Sequence, residues 1–220
     1  MPSRSKLGFD GNKKDIEILW HIHREFAKPG RKRNQHVDVL TRSAVVFISA
    51  CWESYIEDLA VEAFDYLLNT CSTPDVFPAR VRTVASRELR ESKDERKIWD
   101  LAGEGWKDVL QAHRDSIKDR WLKDFNSPKS RQVRDLFAGL VDIPDVTSAW
   151  CWDGMSSECA ADKLDAFITI RGNIAHRIRD DKMVYKSSAK SFLSHITKIV
   201  DRTDAKVGLH LTNLTQLSPW

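Results

Sequence analysis

Residues 35–70 read QHVDVLTRSAVVFISACWESYIEDLAVEAFDYLLNT, and this stretch decides the fold. Val37, Leu40, Ala44, Val45, Ile48, Cys51, Trp52, Tyr55, Ile56, Leu59, Ala63, Phe64 and Leu67 recur at steps of three and four, the repeat of an α-helix. Glu53, Glu57, Asp58, Glu62 and Asp65 take much of the remaining surface. So wide an apolar stripe cannot be buried against one neighbour alone. The segment is therefore expected as a central strut contacted from several sides.

The flanking sequence follows the same period. Between Lys13 and Lys28, Ile16, Leu19, Trp20, His23, Phe26 and Ala27 mark one helix face, and Pro29-Gly30 stops it. Residues 1–12, with Gly8, Gly11 and Asn12, read as a flexible tail. Breaks at Cys71-Ser72-Thr73-Pro74-Asp75 and Phe77-Pro78 open a more polar stretch over 72–150, a helical insert or middle region. Its helix candidates are 79–92, 94–101, 104–125 and 130–140, with a helix start expected at Ser127 and Pro128 in the first helical place. Residues 142–154 form a loop with Pro144, Trp150 and Trp152, and Ser156-Ser157-Glu158 reads as a helix cap. Leu164, Phe167, Ile168, Ile170, Ile174 and Ile178 then continue as helical core positions, and a last helix is expected over 187–204. The extension 206–220 alternates weakly through Val207, Leu209, Leu211, Leu214 and Leu217, a pattern that suits extended chain. No internal repeat and no βαβ rhythm is present. The fold class is all-α, with one helical domain over 13–205.

A content of 41% hydrophobic residues and eight Trp supplies a core, while 30% charged residues supply a wetted surface. Apolar runs such as 44–48 are too short to span a bilayer, and MPSRSKLGFD carries no leader-like apolar run, so the chain reads as cytoplasmic with no membrane partner. The net charge of +3 permits nucleic-acid binding without requiring it. The clusters say more: Arg31-Lys32-Arg33, the series Arg80, Arg82, Arg87 and Arg90, and Arg177 with Arg179 beside His176. Cys51, Cys71, Cys151 and Cys159 make no CxxC pair, and His21-x-His23 lacks a third ligand nearby in sequence. No metal site and no cofactor is expected; Cys51 reads as a small core residue.

The segment Arg171-Gly172-Asn173-Ile174-Ala175-His176 carries the chemistry. Asn173 and His176 stand three apart and share a helix face; Arg171 and His176, five apart, diverge by about 140° but a long Arg can curve back. Such a set suits metal-independent RNA cleavage. An imidazole can take the proton of a 2′-hydroxyl or give one to the departing 5′-oxygen, and a guanidinium can hold the phosphate. DNA, lacking the 2′-hydroxyl, would be refused. One imidazole per chain, where the reaction benefits from a base and an acid, predicts a homodimer with a shared site. The bland alternative is that Arg171 only pairs with a carboxylate.

These residues resemble the R-x4-6-H signature of the HEPN superfamily. Residues 43–59 are similar to the first long helix of its RiboL-PSP branch, and Asn126-Ser127-Pro128 with Val133, Leu136, Phe137 and Gly139 is similar to that branch's middle segment. The resemblance implies a helical bundle, dimerisation, and endoribonuclease activity in toxin–antitoxin or antiviral systems, with a cognate antitoxin or a defence-complex subunit as further partner. It makes Arg171 and His176 the catalytic pair; Asn173 joins them by its helical spacing from His176, and Arg177 and Arg179, the basic residues flanking His176, are expected as RNA contacts. It also makes Glu53 an orienting group; alternatively Glu53 joins Glu57 on a solvated face. The sequence departs from the pattern at Gly172, where a polar residue is common, and it lacks a tyrosine two places after the His. A rival function is a non-catalytic HEPN module for RNA binding or protein interaction within a defence complex.

Overall fold

The computed structural model describes residues 1–26, 35–112, 114–123, 125, 128–176 and 185–220; among them there are helices and no strand. Among the described residues eight α-helices follow one another: α1 (Arg4–Phe26), α2 (Gln35–Thr70), α3 (Ala79–Glu91), α4 (Gly105–Ala112), α5 (Arg114–Leu122), α6 (Ser130–Val141), α7 (Ser157–His176) and α8 (Lys186–Thr215). Short 3₁₀ turns at Pro74–Val76, Glu95–Leu101 and Val146–Ala149 link them.

The 36-residue α2 is the strut its sequence announces, with α1, α4, α6, α7 and α8 against it. Ala44, Ile48, Trp52, Tyr55, Ile56, Leu59, Ala63, Phe64 and Leu67 are buried over rather more than half of its circumference, and Ser43, Ala50, Ser54, Asp58 and Asn69 are exposed on the rest. Its polar atoms fix the register of its neighbours. Tyr55 Oη donates to Val200 O at 3.1 Å and Trp52 Nε1 to Pro128 O at 3.0 Å. With Tyr66 against Thr215 at 3.0 Å, the first of these makes α8 parallel to α2. α7 is antiparallel to α8, because Ala160 O accepts from His195 Nε2 at 2.9 Å while Phe167 stacks on Phe192 at 4.5 Å. α1 is antiparallel to α2, from Phe9 on Tyr55 and Glu62 at the start of α1. The C-terminal ends of α1 and α7 and the N-terminal ends of α2 and α8 therefore meet at one end of the bundle.

Three expectations are corrected. Residues 4–12 are not a tail but the first turns of α1. Ser3 Oγ caps them by accepting from Lys6 N–H at 3.0 Å, and Ser3 itself is held by the buried Asp204. Phe9 is only 2% exposed, and Gly8 and Gly11 sit where a side chain would meet nothing, so packing overrides their weak helix propensity. Residues 206–215 are not extended but continue α8; Val207 and Leu211, four apart, are buried while Leu209 and Leu214 face out. The alternation of leucines had hidden a helical pair. The helix expected to start at Ser127 starts instead at Ser130, after Pro128 and Lys129; Asn126 and Ser127 lie outside the described residues. Asp165 of α7 accepts from both Ser130 N–H (2.8 Å) and Ser130 Oγ (3.0 Å), which fixes the start of α6 better than Pro128 would.

The middle region divides more finely than expected. Residues 94–101 are 3₁₀ from Glu95, capped by Asp94, and 104–125 split into α4 and α5. Gly105 opens α4 where the Asp100 carbonyl comes so close that no Cβ fits. Residues 79–92 and 130–140 match α3 and α6 closely. Trp150, in the loop after α6, is fully buried and donates to Thr203 Oγ1 at 2.8 Å.

Candidate functional site

α7 carries the 171–176 segment. Ser156 caps it as expected, its Oγ accepting from Cys159 N–H at 3.2 Å. On a helical wheel Ala160, Leu164, Ile168 and Arg171 fall within an arc of about 80°. The first three are buried, so Arg171 occupies the last core-facing place of the helix. It is half-buried, and its Nε is buried with no hydrogen-bond partner among the described residues. A buried donor left in this way is costly unless something else accepts from it.

One turn on, Ile174 packs against the core and lines a groove of about 750 Å³ at the shared end of the bundle. Asp15 and Leu19 of α1 and Arg42, Ser43, Val46 and Phe47 of α2 complete its walls. The groove is largely apolar with an acid and a cation at its edges. These residues were not legible as site residues, because nothing in their local spacing differs from that of any core helix.

Gly172 stays within the regular helix rather than loosening the turn, and a Cβ there would meet nothing within 4 Å. Asn173 is exposed. By register its backbone position and that of His176 lie on the outward side of α7, away from Arg171. His176 is the last residue of the helix; its side chain, and Arg177 and Arg179, lie outside the described residues. So do Arg31, Lys32 and Arg33.

On α2, Glu53 is half-buried, as is Glu57 one turn further on. Burial, with the Glu53 and Asp58 carboxylates next, pushes Glu57 up to about 6. This pair is therefore not the fully solvated face of the alternative reading. α7 is antiparallel to α2, so the step from Ile174 back to Arg171 runs the same way as the step from Ala50 to Glu53.

The two N-terminal histidines act separately. His21 lies 3.4 Å from Glu25 on the surface. His23 is buried, accepts on Nδ1 from Lys186 Nζ at 3.0 Å, and Lys186 sits over the Trp20 ring. Burial, then the Lys186 charge, lowers the His23 pKa, so its imidazole is neutral at pH 7. Cys51 is buried, and burial raises its thiol to about 11.

No helix among the described residues is long and apolar enough to cross a membrane. No curated protein and no solved structure matches the chain. The family comparison does match, and over nearly all of the bundle, including α2 and the whole of α7. Matching the RiboL-PSP-HEPN profile over residues 12–208, with an all-helical architecture and the R-x4-H segment at the end of α7, the chain belongs to the RiboL-PSP-HEPN family.

Proposed function

We propose that the protein is a metal-independent endoribonuclease of a toxin–antitoxin or antiviral defence system, acting through Arg171 and His176 in a site shared across a homodimer. HEPN domains are generally RNase-type modules of defence systems, and the family implies RNA interaction and often dimerisation. The observation that carries the reading is Arg171, an arginine in a core-facing place whose buried Nε has no acceptor among the described residues. A phosphate oxygen is the acceptor such a donor suits, and a guanidinium offers two parallel bonds to it.

In this reaction the 2′-oxygen attacks the adjacent phosphorus while a base takes its proton. The 5′-oxygen leaves with a proton from an acid, giving a 2′,3′-cyclic phosphate and a 5′-hydroxyl. Arg171 stabilises the extra negative charge of the transition state. His176 serves as base in one protomer and as acid in its partner. The outward register of Asn173 and His176 on α7 favours completion of the site by a second copy rather than from within one bundle. Glu53, half-buried on the facing helix, orients Arg171 or His176, and Arg177 and Arg179 contact the RNA.

The test is cleavage of mixed RNAs in the presence of a chelator by the parent protein, Arg171→Ala and His176→Ala. Cyclic phosphate ends made by the parent and lost in both variants are the expected result. Binding that survives in His176→Ala without any cleavage by the parent would support the non-catalytic module instead. A monomeric active species in light scattering would remove the shared site.

A further inference from the structure

A second feature of the molecule lies away from the 171–176 end of α7. Arg80, Arg87 and Arg90 are exposed on α3 and fall within about 80° of one another around the helix. None of the three makes an ion pair among the described residues, whereas Arg82, on another side, is tied to Asp75 at 2.8 Å. Three guanidiniums on one face, with the exposed Glu91 at its margin and tied to none of them among the described residues, attract a polyanion. The 3₁₀ turn packed beside α3 presents Trp99, 75% exposed, a large apolar ring without a protein partner to cover it.

Between α3 and α4 is a cavity of about 610 Å³, lined by Arg82, Thr83, Ser86, Leu101, Trp106 and Val109 among others. Trp106 is 5% exposed, and its buried Nε1–H has no hydrogen-bond partner among the described residues. Thr83 and Ser86 spend their hydroxyl protons on the carbonyls of Ala79 (2.8 Å) and Thr83 (3.3 Å), which leaves both oxygens as acceptors. The cavity thus combines apolar walls, one orphaned donor and two acceptors. A lactam edge, with its C=O beside an N–H, complements that set, and uracil and guanine carry one.

We propose that α3, α4 and the turn between them form a second RNA-contacting surface that holds single-stranded RNA away from the 171–176 segment. Arg80, Arg87 and Arg90 take phosphates, Trp99 stacks on a base, and the Trp106 cavity seats one uracil or guanine. The region that carries this surface packs on the far part of α2, through Phe77 on Phe64 and Arg114 on Asp65, while Ile174 lines one groove with Val46 and Phe47. Eighteen residues of helix separate those places, about 27 Å at 1.5 Å per residue. At the ~3.4 Å rise of a stacked strand, an RNA of about eight nucleotides or more is needed to reach both. The inference rests on the RNA reading of the family but not on cleavage.

The experiment uses the full chain with His176→Ala, and measures binding of fluorescein-labelled oligo(U) and oligo(A), 5 and 20 nucleotides long. Adding Arg87→Gln and Arg90→Gln is expected to weaken the 20-mers at least fivefold, and to weaken the 5-mers by the share of their binding that falls on this surface. It should also reduce the slope of log affinity against log salt by about 1.4. Adding Trp106→Phe, which keeps a ring and removes only the N–H, is expected to erase a preference for 20-mer oligo(U) over oligo(A). Equal 20-mer binding by all variants would overturn the surface, and an intact oligo(U) preference in Trp106→Phe would overturn the cavity. Cleavage of a 5-mer by the parent, measured alongside, judges the catalytic reading independently. If the parent binds no RNA at all, both ideas fall. Melting temperatures of the variants identify any loss that comes from unfolding.

Discussion

At the scale of single residues, α7 departs from an ordinary amphipathic helix at two neighbouring places. Arg171 stands where an apolar residue would continue the stripe of Ala160, Leu164 and Ile168, and Gly172 weakens the helix without any steric need for glycine. Gly172→Ala is expected to raise stability by up to about 1 kcal/mol, since the Cβ has room and alanine is the better helix former. A urea melt checks this, and a loss of stability would reveal a conformation at Gly172 that alanine cannot adopt. The two histidines of α8 give a pH dependence. Burial depresses the pKa of His195 below 6.5 while its Nε2 donates to Ala160 O, and His210 is depressed in the same way. A depressed folded-state value means that the unfolded chain takes up the proton first. The stability these imidazoles contribute is thus complete above pH 6.5 and is lost as pH falls through their lowered values. His195→Gln should flatten the stability profile over that range; an unchanged profile would assign the acid sensitivity elsewhere. Trp150→Phe, which removes the N–H donated to Thr203 Oγ1 while that hydroxyl keeps its bond to Ile199 O, is expected to cost about 1 kcal/mol in a urea melt.

At the scale of elements, the helices whose apolar period is dense and unbroken were legible in sequence, and those shaped by partners were not. α2 appears with the bounds its stripe predicts, because thirteen apolar side chains at helical spacing leave no competing conformation that buries them all. The segment 104–125 reads as one helix but is two, for its polar content gives the period little weight and Gly105 is placed by the Asp100 carbonyl. Gly105→Ala is expected to displace the Glu95–Leu101 turn and destabilise the middle region, seen as faster hydrogen exchange in α4 with α8 unchanged. Faster exchange throughout the molecule would mean that this region is not a separate cooperative unit.

At the scale of the whole molecule, the two chain ends lock the bundle together. Ser3 reaches Asp204, Lys6 reaches Asp201 at 2.6 Å, Glu62 receives Arg4 and Ser5, and Phe9 fills the space beside Tyr55. Removing residues 1–10 is expected to cost several kcal/mol, since burial of Phe9 alone is worth about 1.5–3 kcal/mol and Asp204 would be left buried without Ser3. Chemical denaturation tests this, and a truncated chain of parental stability would restore the tail reading. The sequence by itself determined the all-helical class, the central helix and the location of Arg171 and His176, because helical period and a short motif are local properties of the chain. Only the tertiary structure decided that residues 4–12 and 206–215 are helical, that Arg171 faces inward with no partner for its Nε among the described residues, and that α1, α2 and α7 line a groove at that end of the bundle. Those outcomes depend on which side chains meet across the bundle, through contacts up to two hundred residues apart, and no local pattern encodes them.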